Sequence, residues 1–175
     1  MEWNLVLRLF VAGMLGAIIG LDREYRAKEA GFRTHFLVSL GSALFMVISQ
    51  YGFGAVIAAE EANYDGARVA AQIVSGIGFL GAGTIIFHKQ FIRGLTTAAG
   101  MWATAGIGMA VGGGMYFIGV AATILVLIGL EALTLAFGKV GLSSVSISFY
   151  TSDKSNLDRV VEELHKKKYH LVSYT

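Results

Sequence analysis

Apolar runs recur five times along the chain, each compatible with a helix crossing a hydrocarbon layer of about 30 Å. They cover residues 5–21, 36–56, 69–87, 95–111 and 115–137. The first, third and fourth are short or rich in glycine, which predicts packing inside a bundle rather than full exposure to lipid. The fifth is the most hydrophobic. The expected architecture for residues 1–140 is therefore an all-α polytopic membrane domain with five transmembrane helices.

The pattern changes after residue 140. SSVSISFY is rich in β-branched and aromatic residues and predicts a strand. SNLDRVVEELHKKK predicts an amphipathic helix, with Ser155 as its N-cap and Asp158 completing an S-x-x-D capping box. YHLVSYT predicts a second strand. Two strands and a helix bury a face only when further strands complete the sheet. Residues 141–175 are thus expected to be part of a small cytoplasmic α+β domain whose missing strands come from a second copy or, the favoured reading, are cut off.

Composition sharpens the first of these expectations. Of the 175 residues, 55% are hydrophobic and 15% charged, against about 25% charged in ordinary soluble domains. Disorder and collagen-like structure are excluded by the same balance. The chain has no cysteine, so disulfides, thiol nucleophiles and zinc–thiolate sites are excluded. The segment MEWN before the first run carries no positive charge, unlike the start of a signal peptide.

The net charge of +2 gives no case for nucleic acid, but its distribution gives an orientation. Arg23, Arg26, Lys28 and Arg33 lie after the first run, Lys89 and Arg93 after the third, and six further Lys or Arg after the fifth. The second connection instead carries Glu60, Glu61 and Asp65, and the fourth is uncharged. Positive charge marks the cytoplasmic side. The N-terminus is then periplasmic and the tail cytoplasmic, at the bacterial inner membrane.

Candidate chemistry is sparse. Gly76, Gly78 and Gly81 spell G-x-G-x-x-G, but a dinucleotide fingerprint needs a preceding strand and a later acidic residue, and AAGM occupies that place. These glycines, with Gly83, read better as a helix face without side-chain bulk. Gly16 with Gly20 and Gly108 with Gly112 form G-x-x-x-G pairs of the same kind, which also admit a homodimer. Polar residues at membrane depth are functional candidates by default. Asp65, Arg68, Gln72 and Ser75 form one stripe entering the third run from the outside. It is read either as a salt bridge with interhelical hydrogen bonds or as a seam open to an ion, a partner or a lipid headgroup. Arg8, near the outer surface, reads as a snorkelling residue.

On the cytoplasmic side Asp22, Arg23 and Glu24 follow the first run, Arg33 leads into the second, and Arg93, Thr96 and Thr97 open the fourth. Thr96 or Thr97 is expected to cap that helix, and Arg33 and Arg93 to pair with Asp22, Glu24 or Glu131. Glu131 lies roughly 9 Å inside the fifth run at 1.5 Å per residue and needs a cationic partner. Cysteine, G-x-S-x-G and H-E-x-x-H are all missing, and the four histidines lack metal-ligand spacing. The reading is a protein that is no enzyme and takes no metal or cofactor.

Four strings in order, GLDRE, AGFRTH, DGARVAAQIVSGIGFLGAG and RGLTTAA, resemble the MgtC/SapB family of bacterial inner-membrane proteins over about residues 5–137. Position 22 is Asp where that family more often shows Glu. The tail resembles the first half of the ACT-like, ferredoxin-type domain of its virulence-associated members. The resemblance implies a non-enzymatic regulatory protein linked to low-magnesium adaptation and virulence. It also implies membrane protein partners, the F-type ATP synthase among them. A transporter or channel for magnesium or another solute is the alternative. Carried over on the matched strings are Asp22, Arg23, Glu24, Arg33, Asp65, Arg68, Gln72, Ser75, Arg93, Thr96 and Thr97.

Overall fold

A computed structural model describes residues 2–53, 65–88 and 91–137. The strand–helix–strand expectation for the tail lies outside the described residues. Five helices and one short hairpin follow in order: α1 (Glu2–Tyr25), α2 (Phe32–Tyr51), α3 (Gly66–Gly83), β1 (Ile86–His88), β2 (Phe91–Arg93), α4 (Leu95–Gly112) and α5 (Tyr116–Phe137). The helices coincide with the five apolar runs, and α1 and α2 are long and apolar enough to cross a membrane.

The third run is the exception to an all-helical reading. Its helix stops at Gly83, and Ile86, Phe87 and His88 pair antiparallel with Arg93, Ile92 and Phe91. Glycines at 81 and 83 weaken the last turn, while Ile85, Ile86 and Phe87 favour extended backbone. Gly94 then turns the chain into α4 at φ 88°. A Cβ there would collide with the Thr84 carbonyl, so glycine answers both the left-handed backbone and the close approach.

Successive helices run antiparallel. Arg8 of α1 reaches Gly112 of α4 and Gln50 of α2 at one end, and Ser49 of α2 bonds the Gly66 carbonyl at the start of α3. At the other end Arg23 reaches Thr97, and Arg26 reaches Glu131 of α5. α2 packs chiefly on α1 and α4, and α3 chiefly on α4.

The centre of this arrangement is Ser39. A Cβ on Gly16 of α1 would lie 2.6 Å from Ser39 Cβ and collide with the His35 carbonyl. A Cβ on Gly108 of α4 would lie 2.9 Å from Ser39 Cα and collide with its carbonyl oxygen. One turn on, Gly20 and Gly112 meet the backbone of Phe32 and of Ala43 in the same way. α2 is thus held between two glycine faces, close enough for Ser39 Oγ to donate to the Ala12 carbonyl at 2.6 Å. Beside this contact lies an apolar core of Ala12, Leu15, Ile19, Ala43, Ile107 and Val111.

The outside is the reverse of a soluble protein. Trp3, Phe10, Phe79, Phe117 and Leu125 are each at least 64% exposed, far more apolar surface than a monomer in water normally presents.

Candidate functional site

At the end where α1 stops and α2 and α4 begin, polar side chains gather. α1 is closed by backbone bonds from Arg26 to Asp22, from Ala27 to Glu24 and from Lys28 to Arg23. The chain turns at Ala27, in left-handed backbone at φ 51°. After that turn Glu29 reaches Thr97 at the start of α4, and the start of α2 comes back to Glu24. Glu24 Oε2 accepts the Phe32 backbone N–H at 2.8 Å and so caps α2 from outside, where a carboxylate is favoured by the free N–H groups and the helix dipole.

Arg23 is buried, 4% exposed, and its Nη2 donates to Thr97 Oγ1 at 3.3 Å. Thr97 Oγ1 in turn donates to Glu29 Oε2 at 2.9 Å. A hydroxyl with one proton and two lone pairs can bridge a cation and an anion in this way. Glu29 is held below the usual carboxylate range by hydrogen bonds from its own backbone N–H and from Thr97. Arg26 bonds Asp22 Oδ1 at 3.0 Å and also pairs with Glu131. Its guanidinium is held above its ordinary value chiefly by the Asp22 bond.

His35 is fully buried one turn into α2. Its Nδ1 donates to the Gly31 carbonyl at 3.0 Å, and Nε2 lies across the ring from that bond. That nitrogen faces Gly100 of α4, one turn below Thr97. Neither His35 Nε2 nor Arg23 Nε has a hydrogen-bond partner among the described residues.

Of the residues singled out from sequence, Asp22, Arg23, Glu24, Thr97 and Glu131 come together here. Arg33 and Thr96 are exposed on the first turns of α2 and α4, and Arg93 ends β2. One further pairing and one difference appear. Arg26, which the sequence-based expectations do not pair, meets both Asp22, one helical turn before it, and Glu131 of α5. Neither threonine caps α4: Gly94 is the cap residue, without a side-chain bond, and Thr97 is turned inward to Arg23. Glu29 and His35 were missed. The signal that could have found them is an acidic residue inside a basic loop and a histidine four residues after Gly31.

The remaining candidates lie elsewhere. Asp65 caps α3, accepting the Ala67 N–H at 3.0 Å, and among the described residues no ion pair joins it to Arg68. Arg68, Gln72 and Ser75 are exposed along α3, on the side away from Ile77 and Gly81, its buried residues. Gly81 rests on Ala98 of α4, whereas Gly76, Gly78 and Gly83 have open space beside them.

Opposite the gathered end, Arg8 does more than snorkel. Its Nη1 donates to the Gly112 carbonyl at 2.9 Å and to Gln50 Oε1 at 3.3 Å. Its Nε donates to Asn4 Oδ1 at 3.1 Å, and the guanidinium lies 5.4 Å from the Tyr51 ring centre. One cation thereby ties α1, α2 and α4. Among the described residues no group of three His, Asp or Glu side chains could hold a metal ion.

An apolar-surfaced bundle of helices drawn together by glycine and fastened by arginine at both ends defines the chain as a helical membrane protein. It belongs to the MgtC family, whose family model matches residues 9–137. It is 47% identical over 131 residues to a protein named putative magnesium transporter YhiD from Escherichia coli (strain K12), covering 75% of this chain and 61% of that protein. It is 44% identical over 122 residues to protein MgtC of Salmonella typhimurium (strain 14028s), covering 70% and 49%. A Synechocystis protein, slr0014, is 40% identical over 136 residues, covering 76% and 54%. The chain therefore spans about half to three-fifths of the length of these relatives. No solved structure matches it.

Proposed function

We infer that this is a five-span inner-membrane protein with its tail in the cytoplasm, acting as a regulator through other membrane proteins rather than by moving solute. The observation that carries this reading is the apolar core of Ala12, Leu15, Ile19, Ala43, Ile107 and Val111 between two polar ends. Transport sites in helical membrane proteins are polar, lie near the midplane and use broken helices. Here two buried hydroxyls at that level are occupied locally: Ser39 bonds the Ala12 carbonyl, and Thr104 bonds the Gly100 carbonyl.

On this reading the gathered end faces the cytoplasm, and Arg33, Thr96 and the carboxylates around them form the surface a partner meets. A role in magnesium adaptation follows from family membership, and an F-type ATP synthase is one partner to test. Capture of the full chain from native membranes, beside an Arg33→Glu variant, tests the reading. Loss of a reproducibly captured membrane protein in the variant supports it, and a capture profile unaffected by the substitution opposes it.

Magnesium transport is the second reading. It is favoured by the name of the Escherichia coli relative, putative magnesium transporter, and by the exposed polar face of α3. Arg68 within that face counts against a divalent cation, which prefers carboxylates and water without a competing positive charge.

A further inference from the structure

We propose that the outward face of α3 is the contact between two copies of this chain, related by a twofold axis along the membrane normal. The proposal rests on the reading above that α3 crosses the bilayer. Arg68, Gln72, Ser75 and Phe79 follow one another at spacings of four, three and four residues, so they share one helix face. All four are exposed, and they lie opposite Ile77 and Gly81, the residues α3 buries in the bundle. A guanidinium, an amide and a hydroxyl thus point away from their own protein. In hydrocarbon such groups need partners, and residues of this kind hydrogen-bond across helix interfaces.

Three features select a second copy as the partner. A twofold contact must be self-complementary, and like residues near its axis meet at one depth. An amide and a hydroxyl each donate and accept, so Gln72 and Ser75 can pair with themselves. The charges also match: Asp65 and Arg68 sit three residues apart and form no ion pair with each other, so Asp65 of one copy can meet Arg68 of the other, twice. Beside Gln72 and Phe79 lie Gly76 and Gly83, where a Cβ would find nothing within 4 Å. The second helix has room to approach closely there.

The chain has no cysteine, so single-cysteine variants of the full chain report contacts without background. Gln72→Cys, Ser75→Cys and Phe79→Cys would be compared in native membranes with Leu125→Cys, exposed on α5, using a short bis-maleimide. The expected result is a product of twice the chain mass at positions 72 and 79 and none at 125. On dilution of the otherwise unaltered protein in lipid vesicles, Gln72→Leu is expected to weaken the dimer about 3- to 30-fold.

Absence of the double-mass product at all three α3 positions overturns the proposal, as does an equal yield at position 125. A product joined to a protein of another mass also overturns it and gives this face a different partner. A water-soluble maleimide separates the two layers of inference. Cysteines at 72 and 75 that are shielded yet uncross-linked remove the dimer alone. Cysteines at both positions that label freely from water remove the reading of α3 as a membrane span.

Discussion

Substituting Gly108 by alanine adds one methyl group at the tightest crossing in the bundle. An ideal Cβ there lies 2.9 Å from both Cα and the carbonyl carbon of Ser39, whereas ordinary contact begins at 3.4 Å. The obstructing atoms are backbone, so α2 itself must retreat by at least about half an ångström to clear these two carbons, and by more to clear the nearer carbonyl oxygen. It has nowhere to go, because Gly16 of α1 holds the opposite side of the same residue. Overpacking of this kind costs about 1–3 kcal/mol. Alanine also gains about 0.8–1.0 kcal/mol of helix preference over glycine, which partly masks the loss. Gly76→Ala supplies the correction, since it gains the same preference with nothing within 4 Å of the new methyl. The stability difference between Gly76→Ala and Gly108→Ala should therefore be about 1–3 kcal/mol, with Gly108→Ala the weaker. Reversible unfolding in mixed micelles reads it directly. Equal stability of the two variants would refute the claim that glycine sets the spacing of α2.

Arg8→Lys keeps the charge but loses the planar fork that serves Gly112, Gln50 and Asn4 together; thermal unfolding should show a loss of about 1–3 kcal/mol. Glu29 has a folded carboxyl value below its unfolded one, so its contribution is complete above about pH 4.3 and disappears as pH falls through the lower folded value. Melting temperature measured from pH 6 down to pH 3 should therefore fall more steeply in the wild type than in Glu29→Gln. Arg26→Glu should loosen α5 by setting like charges against Asp22 and Glu131, and adding Glu131→Arg should restore the melting temperature in part. A double variant no better than the single one would remove the Arg26–Glu131 pair from the account.

The helices were legible because a five-fold apolar pattern leaves few alternatives to a bundle. Where the third run ends was less so. Hydropathy continues through Ile85, Ile86 and Phe87, and only the glycines at 81, 83 and 94 mark the change from helix to hairpin. The glycine pairs on α1 and α4 could be read as contact faces, but not which helix they meet; both meet α2 at Ser39. At the gathered end Arg26 and Glu29 join residues singled out from sequence, and Thr97 turns inward to Arg23 instead of capping α4. Arg26 reaches Glu131 across 105 residues of sequence, a contact that local pattern does not announce. Arg8 read as a snorkelling side chain because its acceptors, Gln50 and the Gly112 carbonyl, lie 42 and 104 residues away.

The apolar core between the two polar ends is the observation on which the regulatory reading depends, and ion flux interrogates it. Full-length chain in sealed proteoliposomes, with an entrapped magnesium indicator and an imposed magnesium gradient, should give a signal no greater than empty vesicles. A saturable flux that rises with protein density and disappears in Asp65→Ala would contradict the account and make the chain a transporter.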